Sequence, residues 1–185
     1  MTDTPLHPIA VHFPIALSLI IPLVMLAMLW PIKKGYWPAS VWVLAFMLQA
    51  VAVGSVYVTE ELGERDAAQV ESVLGEDAIG PSIGHHAKWA DFVFWTYVGG
   101  LGLSFFALIL PSVPAMRVIA LLGALAAAGP VFLAGLTGGE LVYEDGAAQG
   151  FVCLHKSKSR QASSSTAMPA YPSGAEEEKP SADAK

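Results

Sequence analysis

Four stretches of the chain are apolar at almost every position: residues 5–30, 38–59, 86–110 and 115–136. The first two contain no Asp, Glu, Lys or Arg. At ~1.5 Å per residue the first stretch reaches roughly 39 Å as a helix, more than the ~30 Å hydrocarbon core of a bilayer. None of them alternates with the period of two that a half-buried strand requires. Pro31, Gly35 and Pro38 break the chain between the first two stretches, and Pro111 and Pro114 between the last two. Turns this short make antiparallel helix hairpins. The pattern predicts an all-α fold: an integral membrane four-helix bundle of two antiparallel hairpins.

Residues 60–84, between the hairpins, are polar and rich in Glu and Asp, which predicts a loop with a short surface helix over residues 64–74. Gly99, Gly100, Gly102, Gly123, Ala127 and Gly135 permit close helix approach, on which association in lipid depends. Pro14, Pro22 and Pro130 are read as kinks inside the bundle. Near residue 151 the composition turns to Ser, Pro, Ala and Glu. The chain thus divides into a four-span domain, residues 1–151, and a tail, residues 152–185, predicted to be disordered for want of an apolar face.

Composition sharpens this picture. Hydrophobic residues make up 54% and charged residues 14%, against roughly a quarter charged in soluble domains; a mean hydropathy of +0.53 points the same way. The net charge of -6 and the absence of a dense basic block exclude a nucleic-acid footprint. Cys153 is the one cysteine and matches no cysteine-based zinc or c-type haem spacing. The start lacks a basic n-region and an A-x-A site, so the first span is expected to be retained. Lys33, Lys34 and Arg117 flank the short turns, against Arg65 and Lys88 near the other face. The positive-inside rule then predicts cytoplasmic short turns, with both termini periplasmic.

Loop parity puts all five histidines on one face of the bilayer. His7 and His12 enter span one, His85 and His86 enter span three, and His155 follows span four. His12 lies five residues past His7, roughly 8 Å deeper along the axis. Ionisable groups at such depth are costly and usually face the bundle interior. Imidazoles on two helices suit axial ligation of haem, and equally a copper or zinc ion. The plainer readings are interfacial positions for His7 and His85, a solvated His155, and a His12 bonded to a carbonyl freed by Pro14. Trp89, Phe92, Phe94, Trp95 and Tyr97 are candidates to wall a porphyrin, or an aromatic belt at the interface. Glu60 and Glu140 end spans two and four on the histidine face.

The stretch Leu6-His7-Pro8-Ile9-Ala10-Val11-His12-Phe13-Pro14-Ile15-Ala16-Leu17 resembles the opening signature of the domain-of-unknown-function 2231 family of bacterial inner-membrane proteins. His86-Ala87-Lys88-Trp89-Ala90 resembles that family's histidine at the start of the third span. Gly138-Gly139-Glu140-Leu141-Val142-Tyr143-Glu144-Asp145-Gly146 resembles its closing motif. The family's name records no function. Its members occur beside or fused to c-type cytochromes and Rieske domains, which implies membrane electron transfer by association. The chain departs in offering His85 and His86 together, and the residues that follow favour His86.

The expected protein is a small electron carrier binding haem b through His12 and His86, with His7 and His85 tuning the site. Its expected partners, besides the lipid bilayer, are a quinone, a periplasmic cytochrome or a Rieske-type protein. The alternatives are a copper or zinc binding protein and a non-catalytic structural subunit. No nucleophile motif, phosphate loop or HExxH is present, so an enzyme is not expected.

Overall fold

The computed structural model describes residues 5–166. Its helices are α1 (His7–Ala10), α2 (His12–Lys33), α3 (Val43–Leu74), α4 (Glu76–Ile109), α5 (Pro114–Ala126), α6 (Ala128–Tyr143) and α7 (Ala147–Thr166), with a 3-10 turn at Ala39–Trp42 before α3. Four segments are long and apolar enough to cross a membrane: His7–Lys33, Ala39–Leu74, Glu76–Ile109 and Pro114–Tyr143. The all-helical, four-span architecture is thus as the sequence predicts.

Two spans lose one helical hydrogen bond each, at Val11 and Ala127, where the backbone stays helical, and proline explains both. A proline ring clashes with the carbonyl four residues earlier. Pro14 faces Ala10, where α1 ends, and Pro130 faces Ala126, where α5 ends. Tyr97 donates its hydroxyl proton to the Pro14 carbonyl at 2.8 Å, tying α4 to the first span.

The bundle interior is built from small residues and a few large ones. Ala45, Ala52, Ala107 and Ala120 are fully buried beside Ile21, Met25 and Trp42. Leu19, Leu23, Trp95 and Phe132 point outward instead, which suits a surface bathed in lipid. Of the glycines expected to allow close approach, two do so. A Cβ on Gly100 would meet the Gln49 amide at 3.1 Å, and one on Gly123 would meet Leu103 at 2.6 Å. Gly99, Gly102 and Gly135 face open space.

The polar segment between the hairpins differs most from expectation. At 32 and 34 residues, α3 and α4 run straight through it. At ~1.5 Å per residue they are about 48 and 51 Å long, roughly 20 Å beyond the hydrocarbon core. They turn on Gly75 alone, whose φ of 90° an L side chain rarely adopts. The overhang forms a helical cap with its own small core of Val70, Ile79 and Ala147, edged by Leu74, Ile83, Leu141 and Phe151. The tail also departs from expectation as far as Thr166. Helix α7 docks Ala147, Gly150 and Phe151 on this second core, and a Cβ on Gly150 would meet Val70 at 3.1 Å. Residues 167–185 lie outside the described residues.

Candidate functional site: a histidine pair between two cores

The site lies where the apolar spans meet the cap. His7 opens α1, a four-residue helix held from two directions by α3. Its backbone N–H donates to Asp66 Oδ2 at 3.0 Å, so a carboxylate from the cap satisfies one of the free amides at the helix start. Its ring Nδ1 lies 2.8 Å from the carbonyl of Thr59. A carbonyl only accepts, so Nδ1 carries the proton and Nε2 presents its lone pair.

His86 on α4 is fixed by the same logic. Its Nδ1 lies 3.1 Å from Thr137 Oγ1 on α6. The Thr137 hydroxyl gives its proton to the carbonyls of Leu133 and Ala134, at 3.1 and 3.2 Å. Its oxygen is left to accept, so His86 Nδ1 is the donor and Nε2 is again the free lone pair. The hydrogen bonds of the two rings to Thr59 and Thr137 both run through Nδ1, and the Ala134 backbone also acts on the His86 ring. The two ring centroids are 6.0 Å apart with planes at 86°.

Two glycines clear the space for these rings. A Cβ on Gly63 would stand 2.9 Å from His7 Nδ1, and one on Gly138 would stand 3.1 Å from His86 Cε1. Alanine at Gly63 forces a shift of the His7 ring, and alanine at Gly138 requires the His86 ring to give by a few tenths of an ångström. Nearby, Glu60 buries one carboxyl oxygen without a hydrogen-bond partner, and Asp91 and Glu64 act on it electrostatically.

The histidine that meets His86 is therefore His7, and the expected pairing with His12 is corrected on this point. His12 opens α2 with its ring exposed on the outer side. Five residues at ~100° per residue put His12 about 140° round the helix from His7, on a different face. His85 and His155 are exposed as well. The expected porphyrin wall is not assembled, because Phe92 and Trp95 are 56% and 67% exposed. Of that group, Tyr97 alone is fully buried, and it is spent on Pro14. Glu140 is exposed near the end of α6. Sequence reasoning missed Thr59, Gly63, Asp66 and Thr137. The one signal available was Thr137, which stands directly before the closing Gly138-Gly139 motif.

Among the described residues no group of three or more His, Cys, Asp and Glu converges as a metal-binding set. A groove of about 320 Å³ lies away from the histidines, beside Val24, Trp37 and Leu44.

Fold and site together define a four-span helical membrane protein with a tautomer-locked histidine pair at one face. Compared with protein-family models, curated proteins and solved structures, the chain matches none. The resemblance noted above rests on its motifs alone.

Proposed function

We propose that this is a small electron-transfer protein of the bacterial inner membrane, holding a b-type haem through His7 of span one and His86 of span three near the periplasmic face. The observation that carries the reading is two imidazoles from different spans, each held by Nδ1, with ring centroids 6.0 Å apart. With metal–nitrogen bonds of about 2 Å, two rings at this separation would both be within reach of one metal. Two imidazoles on facing helices are a donor set that would suit a haem iron.

A bound haem would supply one-electron chemistry. The chain's own residues orient and shield. Thr59 and Thr137 hold the two rings by Nδ1, an arrangement that makes an imidazole a better ligand. The cap covers the site in part, leaving both rings half-buried. Quinone on the membrane side and a periplasmic cytochrome or Rieske-type protein are the proposed redox partners.

One observation favours a second reading, a single reduced copper ion. Both rings are packed onto helix backbone at Gly63 and Gly138, so a bare ion needs less rearrangement than a macrocycle. Zinc, which takes four ligands in structural sites, is disfavoured by the two-histidine set. The test is an absorption spectrum of the purified protein, oxidised and then dithionite-reduced, with metal analysis. A b-type spectrum supports haem, and a colourless protein with one copper supports the second reading. Neither haem nor metal after reconstitution would sink both.

A further inference from the structure

The face opposite the histidines poses a separate electrostatic problem. Four buried side-chain atoms lack a hydrogen-bond partner among the described residues, and three of them sit in that half: Trp42 Nε1, Ser104 Oγ and Arg117 Nε. Trp42 closes the turn before α3, Ser104 is five residues from the end of α4, and Arg117 is the fourth residue of α5. Arg117 is only 5% exposed. Its Nη2 donates to the Pro111 carbonyl at 3.0 Å, which aims the guanidinium back at the turn leading into α5.

That position is unfavourable twice over. The N-terminus of a helix is its positive end, and a cation in the first turn opposes the dipole. No side chain caps α5. The chain supplies no counter-ion either, since residues 5–59 and 92–139 contain neither Asp nor Glu. Buried guanidinium groups are kept paired, because an unpaired charge in a low-dielectric interior costs several kcal/mol.

We propose that Arg117 and the N-terminus of α5 bind the phosphate of an anionic phospholipid from the adjoining leaflet. A phosphate would answer the helix end and the guanidinium together. A lipid is favoured over a free ion by the rim, where Ile109, Leu110 and Val113 are 51%, 41% and 41% exposed and offer apolar surface to an acyl chain. Basic pockets between membrane helices bind acidic headgroups in this way.

The test compares the full-length protein in nanodiscs of phosphatidylcholine alone and of phosphatidylcholine with phosphatidylglycerol, by thermal unfolding and by native mass spectrometry of retained lipid. The wild type is expected to unfold several degrees higher with phosphatidylglycerol and to retain it. Arg117→Lys should keep most of that gain and Arg117→Gln should lose it. The exposed lysines of the same face are the control: Lys33→Gln with Lys34→Gln should keep the gain. An equal gain in Arg117→Gln, no gain in the wild type, or loss in the lysine variant would overturn the proposal. If inorganic phosphate in phosphatidylcholine discs reproduces the gain, the lipid assignment is overturned in favour of a free anion. Should Arg117→Gln not fold, Arg117→Lys and the lysine variant still decide it.

Discussion

An imidazole has two nitrogens, and what holds one decides what the other can do. His7 and His86 are each held by Nδ1, one by a backbone carbonyl and one by a hydroxyl whose proton is already committed. His7→Ala and His86→Ala should therefore each abolish or grossly alter the reduced spectrum or the bound metal, while the protein still inserts. His12→Ala and His155→Ala should leave both unchanged, since both rings are exposed and outside the pair. A spectrum lost with His12 but kept without His7 would return the site to the deeper histidine. Thr137→Val is the subtler probe. It keeps the shape, removes the acceptor and frees His86 to rotate, and such outer partners are worth about 10- to 100-fold in metal affinity. Competition with a chelator reads this directly, and an unchanged affinity would make Thr137 a bystander. From the sequence, both members of the pair stood among the four candidate ligands. Depth along the helix pointed to His12, but His12 lies about 140° round the helix from His7 and faces outward, so position round the helix and not depth decides the pair.

At the scale of elements, different forces hold the two cores. Within the spans the surroundings are as apolar as the interior, so close packing and buried hydrogen bonds such as Tyr97 to Pro14 do the holding. The cap stands in water, where burial itself contributes, about 1.5–3 kcal/mol for a side chain such as Ile79. Ile79→Ala should cost roughly 2–5 kcal/mol of cap stability and speed proteolysis between residues 60 and 84, with the spans still inserted. Unchanged cleavage would mean the second core is not a cooperative unit. Deleting residues 161–185 should spare both cores, because α7 docks through Ala147, Gly150 and Phe151. Extending the deletion to residue 151 should loosen the cap as Ile79→Ala does. Composition concealed this cap, since Glu61, Glu64, Glu76 and Asp77 face solvent and read as a loop. Val70 and Leu74 fall within the short helix expected over residues 64–74, while the pair Ile79–Ile83, also four residues apart, was the overlooked helical signal. The same oversight hid α7, where residues 147, 150, 151 and 154 follow helical spacing.

For the whole molecule, the four spans were plain in the sequence because nothing in a bilayer competes with a helix for backbone hydrogen bonds over that length. Which face meets the cytoplasm is a different matter, since it depends on where a few charges fall. The face of the short turns carries Lys33, Lys34 and Arg117 and no acid, while the histidine face carries the acidic cap. The finding that Arg117 is buried changes the weight of these three. The two exposed lysines remain to be read by the insertion machinery, while Arg117 would be anchored by the headgroups it meets. Both effects pull the short turns toward the cytoplasm, where the leaflet surface is negative. A reporter active only outside the cytoplasm should accordingly be silent when placed in the turn at Lys34 and active when fused after Thr166. Exchanging Lys33 and Lys34 for Gln should weaken this bias and give a mixed population, detectable as partial activity at both sites. Activity at Lys34 and silence after Thr166 in the native chain would reverse the orientation, yet the histidine pair would still share one face. Full activity at both positions in the unaltered chain would contradict the four-span architecture itself, because three crossings, an odd number, separate Lys34 from Thr166 and must put them on opposite sides.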